Sequence, residues 1–390
     1  MKKLTASLLL LFLGIASLQA QMYSYSANFL LSERNFCDTI PIVIDNDLIY
    51  IDVETAGRRC RYLLDTGSGQ GMVYESDEVR RYRELGNVVS YDASNHKDTV
   101  RVVQLPAFRM GRIRVSGYVA SVLPRPATRQ KYDAIIGFDL FNKGLYAKID
   151  TRRRHLILTD RQDILDTEPG YEIKYKLKWW VPYIYVSPFM RHVDQVLFDT
   201  GSQSLFKMNK QSFDTHAYKS KNVESQVEER IDGHQAIATL GTETSGEIVF
   251  LHLDRLKWGE FSFLDVHATT TQGASRVGAQ LLSYGSVVVN PKRKRLTFQP
   301  YNQNDNVVVG NKTPSIAYVP FNGQASVGFI RSDHQAYDAG MRQGDIVLRI
   351  NGEAIDTFED FQRYPFVEGR TYTFILRDKR GFDKEVKIEK

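Results

Sequence analysis

Leu63-Leu64-Asp65-Thr66-Gly67-Ser68 and, further along, Leu197-Phe198-Asp199-Thr200-Gly201-Ser202 are the stretches on which the reading of this chain turns. Each is an apolar strand running into an aspartate, a hydroxyl, a glycine and a second hydroxyl. Glycine at that point lets the chain turn sharply and present the carboxylate among backbone N–H groups. One copy alone is an ordinary polar turn. Two copies predict two halves that bring Asp65 and Asp199 together.

The frames around the copies repeat as well. Before Asp65 stand the apolar runs Ile40–Ile44 and Leu48–Val53 and a turn at Thr55-Ala56-Gly57, which predict antiparallel strands. Before Asp199 the same order recurs in Tyr171–Lys176, Tyr183–Val186 and Gln195–Phe198. Val100–Gly111 is matched by Ile248–Gly259, and Ile136-Gly137-Phe138-Asp139-Leu140-Phe141 by Val277-Gly278-Ala279-Gln280-Leu281-Leu282. Ile149-Asp150 with Leu156–Leu158, and Val287–Asn290 with Leu296–Phe298, close the two units. Landmarks in one order at similar spacing point to an internal repeat.

Bulk composition bounds the rest. A chain of 390 residues is too long for one compact core, so two or three domains are expected. With 42% hydrophobic and 25% charged residues and a net charge of +5, it is an ordinary globular chain. The basic clusters Arg152–Arg154 and Lys292–Arg295 sit between strand-like runs and read as exposed turns, so no nucleic acid partner is expected. Residues 1–20 read as a signal peptide: Lys2 and Lys3, an apolar core from Ala6 to Leu18, and Ala20 before the cleavage point. That run is shorter than the ~18 residues of a spanning helix. The expectation is an exported chain, periplasmic, in the cell envelope or secreted, with no membrane span after signal removal. Cys37 and Cys60 leave a disulfide open in such a compartment. No Cys/His cluster has metal-site spacing, and neither a P-loop nor a GxGxxG opening a helix is present, so no metal and no cofactor are expected.

The two Asp-Thr-Gly-Ser loops, each with a later apolar-apolar-Gly segment, resemble the pepsin/retropepsin family of aspartic peptidases over about residues 40 to 300. The resemblance implies a mainly β fold with bilobal, aspartic-protease-like β-barrel lobes at 21–160 and 161–302, related by the internal repeat. It implies an aspartic endopeptidase with Asp65 and Asp199 as catalytic residues and a peptide or protein as substrate. Two carboxyls a few ångströms apart share one proton, and the pair activates water. Gly67 and Gly201 would let N–H groups approach the carboxylates, and Ser68 and Ser202 can donate hydroxyl bonds to them. By the family's pattern, Thr66 and Thr200 would tie the loops together. The Val88–Val103 hairpin matches the family's flap, with Tyr91 as its cleft-facing aromatic. Arg276, where the first unit has Ile135, departs from the pattern.

Past a polar linker at 303–313, residues 314–390 resemble a small α+β PDZ domain of the bacterial protease-associated kind. Ala336, Ala339-Gly340-Met341, Gly344-Asp345 and Ile350-Asn351-Gly352 carry this resemblance, with Gln335 replacing the usual proline. It implies capture of a PDZ ligand peptide along Val327-Gly328-Phe329-Ile330. The alternative to an enzyme is a catalytically silent scaffold that holds peptides. Oligomeric state stays open.

Overall fold

The computed structural model describes residues 22–91, 97–125, 130–234, 237–238, 241–242 and 244–389. The expected signal peptide lies outside these residues. So do the tip of the Val88–Val103 hairpin (92–96) and part of its counterpart in the second unit.

The chain is mainly β. Strand Arg58–Leu64 delivers Asp65, and strand His192–Asp199 delivers its counterpart. Beside each lies a short strand from much later in sequence. Ala134–Ile136 pairs in parallel with Arg58–Leu64 and antiparallel with Gly71–Tyr74. Arg276–Gly278 pairs in parallel with His192–Asp199 and antiparallel with Phe206–Asn209. A parallel neighbour needs a long crossover, so each aspartate loop is clasped between strands that only the complete unit supplies.

The units share a sheet. Tyr146–Asp150 pairs on one side with His155–Thr159 and on the other with Gly285–Asn290. The run Gly285–Asn290 is buried at every position, as expected of an inner strand covered on both faces. Arg295–Pro300 and Tyr171–Lys174 extend this sheet, while Cys37–Asp45 continues it into the first unit. One continuous apolar core runs through both units, from Ile51 and Phe108 to Trp258 and Phe298. The basic clusters fall in the turns that close the hairpins on either side of this shared sheet.

The segment 303–313, expected as a linker, is tied to the second unit. Strand Asn306–Val308 pairs in parallel with Phe261–Thr271, and Asn311 hydrogen-bonds both backbone groups of His267. The C-terminal unit has its own sheet, built from Ile316–Phe321, Gln324–Ile330, Ile346–Ile350, Thr371–Arg377 and Asp383–Glu389. Its own core includes Met341, Ile350 and Phe374. Helix Phe358–Arg363 starts in a capping box between Thr357 and Asp360.

The expected peptide-binding strand is corrected by what covers it. Val327, Phe329 and Ile330 are buried. Phe329 packs edge-on against Phe250 of the second unit, with ring centres 5.7 Å apart. The Gly328 carbonyl accepts a hydrogen bond from the backbone N–H of His234, at 2.9 Å. The chain therefore fills that strand's apolar face and satisfies part of its edge with its own residues.

Cys37 and Cys60 are both free. Cys37 pairs with Thr159 and Cys60 with Val53, in different ladders. Helix Lys210–Lys219 was not legible in the sequence, because Phe213 is its only buried residue and no apolar stripe marks it. Its start is fixed by Asn209, whose side chain accepts from the N–H of Ser212.

Candidate functional site

Asp65 and Asp199 come together at the contact between the two loops. Their side chains hydrogen-bond one another. Asp65 Oδ1 also accepts from the N–H of Gly67 at 2.8 Å, and Asp199 Oδ1 from that of Gly201 at 3.0 Å. Each glycine lies against the opposite aspartate. A Cβ on Gly67 would come within 2.5 Å of Asp199 Oδ1, and one on Gly201 within 2.5 Å of Asp65 Cγ. No other residue leaves room for that approach.

The threonines hold the loops in register. Thr66 Oγ1 donates to the Phe198 carbonyl at 2.7 Å and accepts from the N–H of Thr200 at 3.0 Å. Thr200 Oγ1 donates to the Leu64 carbonyl at 2.7 Å and accepts from the N–H of Thr66 at 3.0 Å. Both side chains are fully buried.

Ser68 and Ser202 are placed differently from expectation. The Ser68 hydroxyl donates to the Gln70 carbonyl, and that of Ser202 meets the Ser204 hydroxyl at 3.3 Å. Both therefore close their own turns instead of reaching a carboxylate. An Asx- or ST-type bond within two residues is the shorter path for a hydroxyl so placed.

Behind the loops the repeat persists bond for bond. The N–H of Phe138 donates to the Ser68 carbonyl, and that of Ala279 to the Ser202 carbonyl, each at 2.7 Å. Asp139 accepts from the N–H of Gly71, while Gln280 Oε1 accepts from that of Leu205 at 3.0 Å. Asp139 is buried and takes a further bond from the Tyr118 hydroxyl at 2.6 Å. Burial pushes its carboxyl up to about 7 against these hydrogen bonds.

The symmetry breaks at Arg276. Its first-unit equivalent, Ile135, packs with Tyr50 and Leu63. Arg276 is buried, and its Nη1 lies 3.7 Å from Asp199 Oδ2. The carboxyl of Asp65 is held well above the ordinary range, first by burial, then by the charge of Asp199 and the bond to it. The N–H of Gly67 and the charge of Arg276 oppose the rise.

A stability prediction follows. A carboxyl raised in the folded state means that the folded chain binds more protons than the unfolded one. Stability then falls as pH rises from the ordinary carboxylate value through the raised one. Asp65→Asn removes this pH dependence. The variant is expected to melt higher than wild type at neutral pH, with the gain vanishing below the ordinary carboxylate value. Thermal melts across that range check this; a gain that did not change with pH would contradict it.

One wall of the site was not read from the sequence. Trp179 and Trp180 form the turn between strands Lys176–Lys178 and Val181–Phe189. Both adopt left-handed backbone, with φ of 54° and 68°, an uncommon and strained state for bulky residues. They lie beside Gly69 in the first aspartate loop. Asn142 Nδ2 donates to the Trp180 carbonyl at 2.9 Å. Tyr91, half exposed, stands 6.0 Å from Trp179, ring centre to ring centre. Tyr91 thus belongs to an aromatic lip with the two tryptophans. The only sequence signal was a Trp-Trp pair at a turn, where large apolar residues are uncommon.

Among the described residues no helix is long and apolar enough to cross a membrane. No family model and no curated protein matches the chain. Solved structures do resemble it. Basic 7S globulin from soybean is 11% identical, at a TM-score of 0.41, over 67% of this chain and 94% of the globulin. Conglutin gamma, a basic 7S globulin from lupine seeds, is 13% identical, at a TM-score of 0.42, over 69% of this chain and 96% of that one. Neither is named a peptidase, and no family-model or sequence match supports a PDZ domain. The pepsin/retropepsin assignment, the endopeptidase function and the PDZ unit expected from the sequence are corrected accordingly. What stands is a mainly β chain with globulins among its structural neighbours.

Proposed function

We propose that Asp65 and Asp199 form the acid–base couple of a hydrolase that adds water to a carbonyl carbon. One observation carries this reading: two carboxyls in mutual hydrogen bonding, with the Arg276 guanidinium 3.7 Å from Asp199. Asp199, next to Arg276, is the carboxylate that takes a proton from water. Asp65, kept protonated, donates its proton to the carbonyl oxygen as the water oxygen bonds to carbon. Collapse of the tetrahedral centre expels the leaving group, which takes the proton from Asp199, and Asp65 recovers its own. The aromatic lip of Tyr91, Trp179 and Trp180 offers an apolar wall for the acyl or leaving group. The peptide-bond specificity implied by the family resemblance is not part of this reading.

The test is turnover of a panel of esters and amides from acidic to neutral pH. Wild type is expected to turn over at least one class, and Asp65→Asn and Asp199→Asn to lose about 100-fold to 10,000-fold. In isotopically labelled water the label appears in the acid product, and none appears in the protein's carboxyls. A wild type silent across the panel, or an effect of only one substitution, would sink the proposal.

A further inference from the structure

The sequence carries no metal-ligand spacing, yet the second unit gathers one donor set across three neighbouring strands. His252 and His267 stand directly opposite one another on Gly246–Trp258 and Phe261–Thr271. Their rings stack at 4.3 Å with only 10° between planes. Glu228 reaches them from Val227–Gly233, at the position where that strand's register shifts between Val227 and Glu229. Such an irregularity re-aims a side chain that a regular ladder would send elsewhere. One donor atom from each of Glu228, His252 and His267 lies within 4.8 Å of the others. Asp265 flanks the group, with Oδ1 at 2.6 Å from His252 Nε2 and 3.8 Å from His267 Nε2.

We infer that Glu228, His252 and His267 bind a divalent transition-metal ion of the zinc type, with Asp265 as fourth ligand or as the acceptor that orients His252. Two imidazoles and a carboxylate suit zinc, with bonds of about 2 Å, and suit calcium or magnesium poorly. The supports around the site are those a metal centre needs. Asn311 fixes the His267 backbone through bonds of 2.8 and 2.9 Å. Arg331, from the C-terminal unit, holds Glu228 at 3.4 Å and Glu229 at 2.9 Å. Asp265 takes a left-handed backbone at φ 57°, a strained state for a residue other than glycine. The ion would therefore sit at the seam between the second unit and the C-terminal unit. This inference is independent of the hydrolase reading.

Calorimetric titration of the metal-free full chain with zinc tests it, with cobalt as the visible-absorption reporter of imidazole ligation. One saturable zinc site is expected, weakened at least about 100-fold in His252→Ala and in His267→Ala. The intense bands of low-coordinate cobalt should be lost in the same variants. His216→Ala removes a histidine paired with His192 elsewhere in the unit, and it should bind like wild type. Circular dichroism checks folding, and Glu228→Gln, which keeps the side chain's shape, replaces any histidine variant that fails it. No saturable zinc binding, or equal binding by wild type and the histidine or Glu228 variants, would overturn the site. So would loss of binding in His216→Ala alone.

Discussion

Gly278→Ala is expected to cost about 3 kcal/mol of stability and to displace Asp199. A Cβ at this position would fall well inside van der Waals contact of the Ser202 and Ser204 carbonyl oxygens. Those atoms belong to the turn that carries Asp199, and the N–H of Ala279 is bonded to one of them. Backbone on both sides cannot yield as a side chain can, so the loop must move. Gly137, the first-unit equivalent, faces Ser68 and Gln70 carbonyls at 2.7 Å from its Cβ position. Gly137→Ala should therefore be destabilising but milder. Urea unfolding of both variants gives the comparison. A Gly278→Ala midpoint equal to that of wild type would show that the loop is softer than its packing implies.

Thr200→Val is expected to cost about 2–5 kcal/mol while changing the side chain's shape very little. The hydroxyl satisfies the Leu64 carbonyl and the N–H of Thr66, both within a fully buried contact. Valine leaves one buried acceptor and one buried donor unpaired. Thr66→Val does the same to the Phe198 carbonyl and the N–H of Thr200. Because the bonds interlock, the double variant should lose less than the sum of the single losses. Denaturant titration of the three variants measures this. Additive losses would mean that the loops are held independently.

The repeat was legible because it is written in local pattern: apolar runs ending in Asp-Thr-Gly-Ser, and later apolar segments ending in glycine. These fix strands and a turn, and the order of strands beside each aspartate follows. The site was only half legible. Hydroxyl destinations depend on the local path of the turn, so Ser68 and Ser202 were assigned to carboxylates they do not reach. Trp179 and Trp180 lie far in sequence from Gly69 and Tyr91, and no short-range pattern brings them together. The histidine and glutamate cluster is invisible for the same reason, since its members lie on three strands. The strand Val327–Ile330 looked open because sequence does not say which face another unit will cover.

By itself the sequence determined that this chain is mainly β and that it presents two aspartate loops, because side-chain alternation and glycine turns act over a few residues. Tertiary structure alone decided how the loops differ. Arg276 occupies an apolar residue's place in the repeat, and nothing in its neighbours says where its charge goes. The parallel pairing of Arg276–Gly278 with His192–Asp199 brings that charge to 3.7 Å from Asp199. A buried cation against one member of a carboxyl pair favours the charged form of that member, an effect of distance through space that no local pattern encodes.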